Sequence, residues 1–249
     1  MNLSELRHIL ADLLRDTQFS GKAYFAGGCV RDELLNRETP LLDADIAVEL
    51  PQGGIRLARF LQQQLRTGPP EMHRSFGTAT LHYGSVQLDF VMTRSERYFP
   101  GSRHPRVRFA DLGADCLRRD FTINALYQDI AGGAVLDPCG RGLDDLQARL
   151  LRSLRDPDTA FREDPLRILR ALRFAVVLDC AIEPATLDAC RICAPLITSL
   201  SKNRLANELE RLQATASSPQ LLKWTALARD TGILQYLKQK LGPGPIPHL

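Results

Sequence analysis

The hydrophobic pattern changes near residue 112, and this change constrains the fold more than any other feature. Before it, short apolar runs predict strands that alternate with helices, and Gly84-Ser85 predicts a hairpin turn between Thr78–Tyr83 and Val86–Thr93. After it, apolar residues recur at helical spacing almost to the end of the chain. We therefore expect an α+β fold, in which a mixed β-sheet flanked by helices is followed by an all-α region. The expected domain ranges are 1–151 and 152–249.

Each stretch of helical spacing predicts one continuous helix. In the first half these are Leu3–Leu14, with Ser4 as its N-cap, Cys29–Asn36 and Gly54–Leu65. In the second half they are Leu117–Tyr127, Leu143–Leu150, Thr159–Leu178, Pro184–Cys193, Ser201–Thr215 and Gln220–Lys240. The remaining predicted strands are Ala23–Ala26, Asp45–Leu50, Arg106–Phe109 and Ala134–Leu136.

Composition excludes several classes of protein. We find no run of about 18 apolar residues, so we expect no membrane span. The first residues include Glu5 and Asp12 and fit neither a secretion signal nor a transit peptide, so we expect a cytoplasmic location. The six cysteines have no regular spacing, which favours reduced thiols. Cys190 and Cys193 form a CxxC pair, but without two further ligands we favour buried helix residues over zinc.

The positive charge is concentrated in one segment. The whole chain carries a net charge of only +3, yet seven arginines face three acids between Arg94 and Arg119. Tyr98, Phe99 and His104 lie among them. Such a stretch suits phosphates and stacked bases, while a solvated loop explains the charge equally well.

Three acidic residues lie in or beside predicted strands. Asp43 and Asp45 are two apart at the start of one strand, so their side chains point to the same face. Asp89 lies within the apolar strand Val86–Thr93, where a carboxylate is costly unless it is paired or bound to metal. Three carboxylates on adjacent strands form a two-metal site for in-line phosphoryl displacement.

A glycine pair marks a second candidate site. Gly27 and Gly28 lie between a predicted strand and a predicted helix, where backbone amides can approach a phosphate. Arg31 in the first helical turn can hold a phosphate oxygen by charge-assisted hydrogen bonds. A tight turn without any ligand is the alternative explanation.

The order of five motifs is far more specific than any one of them. GGCVRD begins at Gly27, DAD at Asp43, RRDFTINA at Arg118, DPCGRGLDDL at Asp137 and EDPLR at Glu163. This series resembles the class II CCA-adding enzymes and bacterial poly(A) polymerases, which belong to the polymerase β-like nucleotidyltransferase superfamily. The resemblance extends from about residue 24 to 212.

The resemblance implies a fold and a set of roles. It implies a nucleotidyltransferase head followed by a helical neck, with Asp43, Asp45 and Asp89 binding Mg²⁺. Gly27, Gly28 and Arg31 would form the triphosphate cradle. The segment with Arg119, Asp120 and Asn124 would select ribose and support the nucleotide, and we expect Asp120 and Asn124 to share one helical face. Arg170, on the same helix as Arg167, would contact the triphosphate or the RNA end.

The EDPLR segment predicts how a base is chosen. Asp164 can accept one hydrogen bond and Arg167 can donate two, which together match the Watson–Crick edges of cytosine and adenine. Uracil and guanine present a carbonyl where Asp164 needs a donor. An intrahelical salt bridge is the alternative explanation, with a contribution of about 0.2–0.5 kcal/mol.

We therefore expect transfer of CMP and AMP from CTP and ATP to the 3′ end of a tRNA, with release of pyrophosphate. A poly(A) polymerase or an A-only enzyme is the nearest alternative, and a non-catalytic RNA-binding relative or a metal-dependent phosphohydrolase is less favoured. Bacterial members carry further body and tail domains beyond this region, so we expect either a truncated chain or a minimal form in which these domains are largely absent. We expect the C-terminal helix, a partner protein or a second copy of the chain to take over that grip on RNA.

Overall fold

A computed structural model of the protein describes residues 1–37, 40–73, 77–99 and 102–242, with the backbone alone at 96–99 and 102–106. The chain divides into two compact units. The first comprises Met1–Arg119 and Ile123–Leu143, and the second comprises Asp120–Thr122 and Asp144–Leu249. The domain ranges expected from the sequence stay a prediction. In the described part of the chain, every helix is too short or too polar to cross a membrane.

The strands and helices alternate in the first part of the chain, and helices dominate the second. The strands are β1 (Ala23–Ala26), β2 (Asp43–Val48), β3 (Glu71–His73), β4 (Thr78–Tyr83), β5 (Val86–Met92), β6 (Arg94–Phe99), β7 (Ser102–Phe109), β8 (Tyr127–Asp129), β9 (Val135–Leu136), β10 (Leu150–Leu151) and β11 (Ala181–Ile182). The helices are α1 (Leu3–Leu14), α2 (Gly28–Leu34), α3 (Gly53–Leu65), α4 (Leu112–Leu117), α5 (Gly142–Gln147), α6 (Pro157–Glu163), α7 (Leu166–Val177), α8 (Pro184–Cys193), α9 (Lys202–Thr215), α10 (Ser218–Asp230) and α11 (Ile233–Leu241). The predicted α+β class is therefore confirmed.

The first unit is built on a seven-stranded mixed sheet with the order β3-β4-β5-β2-β1-β8-β9. Its neighbouring strands run antiparallel except β2 and β5, which are parallel. The buried residues of β5 alternate with half-buried ones, so Leu88, Phe90 and Met92 face the core and Asp89 faces the other way. The hairpin of β4 and β5 is also confirmed.

Helix α1 has the predicted bounds, but its N-cap lies two residues before the predicted one. Asn2, not Ser4, is the N-cap, because its side chain accepts from the backbone N–H of Glu5 while the Glu5 carboxylate accepts from the backbone N–H of Asn2. The buried side chains of this helix are Leu3, Leu6, Leu10 and Leu14. The apolar spacing that predicted the helix therefore also gives its core face.

A separate two-stranded ribbon follows the main sheet. Strands β6 and β7 pair antiparallel, with Arg94 opposite Phe109, so the predicted strand at Arg106–Phe109 is the end of a longer strand. The arginines and aromatics of the basic stretch between residues 96 and 106 lie outside the described side chains.

Three predicted helices do not form as single helices, because a turn, a proline or a glycine interrupts each one. The predicted helix Leu117–Tyr127 is absent: α4 ends at Leu117, residues Thr122–Asn124 form a 3₁₀ turn, and β8 begins at Tyr127. The predicted helix Thr159–Leu178 breaks into α6 and α7 at Asp164-Pro165, where Asp164 has an extended backbone. The predicted helix Gln220–Lys240 breaks into α10 and α11 at Gly232, whose φ is +72°.

The second unit is helical and has its own apolar core. Helix α7 carries much of it, and contacts α6, α9 and α10. Trp224 of α10 is among the largest fully buried side chains, so it packs inside this core. Cys190 and Cys193 are buried on α8 as free thiols.

Candidate active site

Strands β2 and β5 bring the three predicted carboxylates together. Their parallel register pairs Asp45 directly with Asp89 and pairs Asp43 with Gln87. Asp43 and Asp45 are exposed on β2 while Ala44 between them is buried, so the two carboxylates share a face. The sequence predicted this arrangement from two separate strands.

The surroundings of the Asp45 carboxyl disfavour its charged form. The protein around it desolvates its charge and raises its pKa, and the neighbouring charges of Asp89 and Asp43 raise it further. The Arg119 guanidinium opposes this rise. A divalent cation bound by the three carboxylates would relieve the repulsion between their negative charges.

The oxygen donors of these residues suit a hard divalent cation. In the described ranges, however, no three carboxylate, thiol or imidazole groups already meet as a finished ligand set. Both Asp89 oxygens accept hydrogen bonds, one from the Thr80 hydroxyl at 2.5 Å and the other from the Gln87 amide at 2.7 Å. The chemistry of the donors fits a metal, and these two neutral donors orient Asp89.

Gly27 lets the chain turn closely past Asp45 and Arg119. Its φ of +75° favours glycine, and it forms the N-cap of α2. A Cβ at this position would lie 2.9 Å from Nη1 of Arg119 and 3.8 Å from Oδ2 of Asp45. The glycine motif, the DAD motif and the RRD motif therefore meet at one point of the first unit.

A buried network fixes the Arg119 side chain. Its Nε donates to the Tyr127 hydroxyl at 2.9 Å, and its Nη1 donates to the Asn124 carbonyl at 3.3 Å. The Tyr127 hydroxyl in turn donates to Asp115 at 2.8 Å. Nη2 of Arg119 also lies 3.6 Å from Asp115.

Asp115 is the centre of this network. It is fully buried, and it also accepts from the Arg118 guanidinium at 2.8 Å and from the Arg94 backbone N–H at 3.0 Å. Burial alone would raise the pKa of this carboxyl, but Arg118 and Arg119, with the hydrogen bonds from Arg118 and Tyr127, hold it below its usual value. Asp115 is therefore charged across the neutral pH range and stabilises the arginine pair.

Arg31 and Asn124 also come together in the first unit. The Arg31 guanidinium is buried and donates to the Asn124 side-chain oxygen. Its other nitrogens donate to both oxygens of Asp32, each at 2.9 Å. The predicted phosphate arginine is thus held rigidly next to the predicted nucleotide-supporting amide.

Asp120 does not share a helical face with Asn124, so this expectation was wrong. The chain between the two residues turns and forms a 3₁₀ segment, because α4 ends at Leu117. Asp120 lies in the second compact unit, where its Oδ2 accepts from Nε of Arg170 at 2.7 Å and from Nη2 at 2.6 Å. Asp120 and Arg170 are therefore partners in a partly buried ion pair.

Asp164 and Arg167 lie at the start of α7. Asp164 precedes the helix, and its Oδ1 accepts from the Leu166 N–H at 3.2 Å and from the Arg204 guanidinium at 2.9 Å. Arg167 is buried in the first turn, and its backbone N–H donates to the Asp164 carbonyl at 3.1 Å. The carboxylate of Asp164 is thus oriented by Arg204 of α9.

The sequence did not identify the residues that orient the candidate groups: Thr80, Gln87, Asp115, Tyr127 and Arg204. Two of them carried a detectable signal. Gln87 is two residues before Asp89 on the same strand face, and Asp115 lies three and four residues before the arginine pair.

Comparison with known proteins agrees with the motifs. Residues 23–152, just over half of the chain, match the family described as the poly A polymerase head domain. Residues 179–241 match the probable RNA and SrmB-binding site of polymerase A. The chain is 36% identical to the mitochondrial CCA tRNA nucleotidyltransferase of Saccharomyces cerevisiae, over 75% of this chain and 37% of the yeast protein. It is also 36% identical to a CCA-adding enzyme of Streptococcus gordonii, over 84% of this chain and 50% of that enzyme.

A solved structure has the same fold. The CCA-adding enzyme of Bacillus stearothermophilus, in complex with CTP, matches with a TM-score of 0.75 and 29% identity over 97% of this chain and 56% of that one. The chain thus spans about half the length of its relatives or less. It belongs to the family of class II CCA-adding enzymes and bacterial poly(A) polymerases.

Proposed function

We propose that this chain transfers CMP and AMP from CTP and ATP to the 3′ end of a tRNA, with release of pyrophosphate. One observation carries the proposal: Asp45 and Asp89 are register partners on parallel strands, with Asp43 on the same face as Asp45. Carboxylates in this arrangement suit metal-assisted nucleotidyl transfer. The relatives named for CCA addition, and the solved relative that binds CTP, support the same chemistry.

In this mechanism Asp43, Asp45 and Asp89 would hold Mg²⁺. Bound Mg²⁺ supplies a Lewis acid that lowers the pKa of the attacking 3′ hydroxyl and neutralises charge on the transferred phosphoryl group. Gly27 and Gly28 would offer backbone amides to the triphosphate at the start of α2. Arg31 would add a cation there, and its bonds to Asp32 and Asn124 keep it in one orientation.

The base would be selected by Asp164 and Arg167. The carboxylate can accept the exocyclic amino group of cytosine or adenine, and the guanidinium can donate to the ring acceptors. The bond from Arg204 supports this role, because a carboxylate with a fixed orientation discriminates between donors and acceptors better than a mobile one. Arg119, Asn124, Asp120 and Arg170 would support the ribose and triphosphate.

A product assay tests the proposal and separates it from its nearest alternative. The chain would be given a tRNA that ends immediately before CCA, with CTP alone, ATP alone or both. CCA addition predicts two added residues with CTP alone and three with both nucleotides. Addition of adenosine in the absence of CTP, or a long A tail, would favour an A-only enzyme or a poly(A) polymerase. No addition under any of these conditions would contradict both functions.

Two further expectations remain predictions. The first is a cytoplasmic location. The second is a partner protein or a second copy of the chain that helps to hold the RNA. Size-exclusion chromatography with and without tRNA would test the second of these.

A further inference from the structure

The polar face that carries Asp45 and Asp89 continues onto the next strand of the sheet. Strand β5 lies between β2 and β4, so Asp89 has Asp45 as its register partner on one side and Thr80 on the other. Gln87 is two residues before Asp89 on the same strand, so its side chain points to the same face. Asp89 thus lies between an acidic residue of β2 and two neutral polar residues.

Each oxygen of the Asp89 carboxylate accepts a different hydrogen bond. The Thr80 hydroxyl donates to Oδ1 at 2.5 Å, and the Gln87 amide donates to Oδ2 at 2.7 Å. Because one donor comes from β4 and the other from β5, the two bonds together restrict the rotation of the carboxylate. All three side chains are half-buried, so water competes less for these bonds.

Both donors are uncharged, which matters at a site for a cation. A lysine or arginine in either position would neutralise Asp89 and compete with a divalent cation for it. A hydroxyl and an amide orient the carboxylate and leave its negative charge in place. An ionised carboxylate offers roughly four lone-pair positions, so two hydrogen bonds leave acceptor capacity for a metal ion.

We propose that Thr80 and Gln87 are positioning residues that set the affinity of the carboxylate site for its divalent cation. They hold Asp89 in one orientation beside Asp45, so this ligand is already ordered when the cation binds. The inference rests on the proposed function, which assigns the cation to the three carboxylates. It extends that assignment to two residues that act on the metal only through Asp89.

Binding of Mn²⁺ to the full chain tests this inference without any turnover. Free Mn²⁺ is measured by electron paramagnetic resonance while the metal is titrated into nucleotide-free protein. Thr80→Val and Gln87→Met remove the donors and nearly keep the side-chain size, and each should weaken Mn²⁺ binding by about 10- to 100-fold. Thr80→Ser keeps the hydroxyl and should bind Mn²⁺ as the wild-type chain does.

Two control variants match these substitutions. Thr78→Val alters the same face of β4 but lies opposite Val91, and Gln63→Met alters an exposed glutamine of α3. Neither should change Mn²⁺ binding. Thermal unfolding gives a second readout, because a bound cation raises the unfolding midpoint in proportion to its affinity. This rise should shrink in Thr80→Val and Gln87→Met and keep its wild-type size in the controls.

Asp89→Asn separates a failure of this inference from a failure of the proposed function, because it removes the charge of the ligand itself. If the wild-type chain binds Mn²⁺ more tightly than Asp89→Asn but no more tightly than Thr80→Val and Gln87→Met, only the positioning role is overturned. An equal loss in Thr80→Ser and Thr80→Val would also overturn that role, since the hydroxyl would not be its cause. If the wild-type chain binds Mn²⁺ no better than Asp89→Asn, the assignment of the cation to the carboxylates is contradicted and this inference is overturned with it.

Discussion

In the first unit, hydrogen bonds and ion pairs with neighbouring residues fix the positions of individual charged side chains. Asp115 shows this most clearly, because it is fully buried and accepts from two different side chains and one backbone amide. A buried carboxylate of this kind is costly unless all its partners are present. We infer that Asp115 keeps the Arg119 guanidinium next to Asp45.

Replacement of Asp115 by asparagine should destabilise the protein by about 3–5 kcal/mol, because it leaves buried guanidinium groups without their counter-charge. The folded-state pKa of Asp115 is lowered, so its contribution is fully present above the ordinary aspartate pKa of about 3.9 and is lost as the pH falls through the folded value. Urea unfolding of both proteins between pH 7 and pH 2 measures this difference. The matched control Asp12→Asn removes an exposed pair with Arg15 and should cost less than about 1 kcal/mol. A difference that is equally large at pH 2 and pH 7 would contradict the assignment.

Arg167→Ala should relax the choice of base more than it weakens nucleotide binding. Removal of the two donors should lower the preference for C and A over U and G by about 10- to 100-fold, the equivalent of one or two hydrogen bonds. Single-nucleotide incorporation with each of the four triphosphates measures this preference. Arg167→Lys should not restore it, because the lysine ammonium lacks the planar donor fork.

The control for this variant is Arg162→Ala, which removes an exposed cation of α6 that pairs with Asp158. It should leave the base preference unchanged. An unchanged preference in Arg167→Ala as well would remove the base-reading role from that residue.

At the scale of elements, helix α3 lies unusually close to the sheet. A Cβ on Gly54 would lie 2.6 Å from the Gly77 carbonyl oxygen and 2.8 Å from that of Phe90. Both contacts are to backbone, which has little room to move. The absence of a side chain at this position therefore allows α3 to pack against β5.

Gly54→Ala should consequently destabilise the protein by about 1–3 kcal/mol through overpacking. Gly68→Ala is the matched control, since a Cβ there meets nothing within 4 Å, and it should change stability by less than about 1 kcal/mol. Thermal unfolding of both variants measures the difference. Equal stability of the two variants would mean that the close approach carries no cost.

The sequence predicted elements well where apolar spacing was uninterrupted and poorly where a local signal broke it. The bounds of α1, β1 and α8 agree with the predicted ones, because their apolar faces are regular and their ends carry caps or turns. The breaks at Pro165 and Gly232 lie within continuous apolar spacing, so periodicity alone could not reveal them. The apolar residues between Leu117 and Tyr127 do not form the predicted helix. Most of them are buried in a 3₁₀ turn and a strand instead.

At the scale of the whole molecule, the sequence predicted the change from mixed to helical structure but not the order of the strands. The pairing of β2 with β5 crosses about forty residues, and no local pattern specifies it. The strand patterns suggested that Asp43, Asp45 and Asp89 form one group, and the motif resemblance supported this grouping. The hydrogen-bond partners of Asp115 and Asp164 are brought together only by the fold, so they could not be predicted from the sequence.

The catalytic role of the carboxylates is tested most directly by Asp45→Asn. Single-turnover incorporation of CMP into a tRNA that ends before CCA, with Mg²⁺ present, should fall by on the order of a thousandfold or more, the equivalent of about 4 kcal/mol of transition-state stabilisation. The unfolding midpoint should stay the same or rise, because the charge removed is one that its surroundings disfavour. Normal incorporation by a folded Asp45→Asn protein would contradict the account.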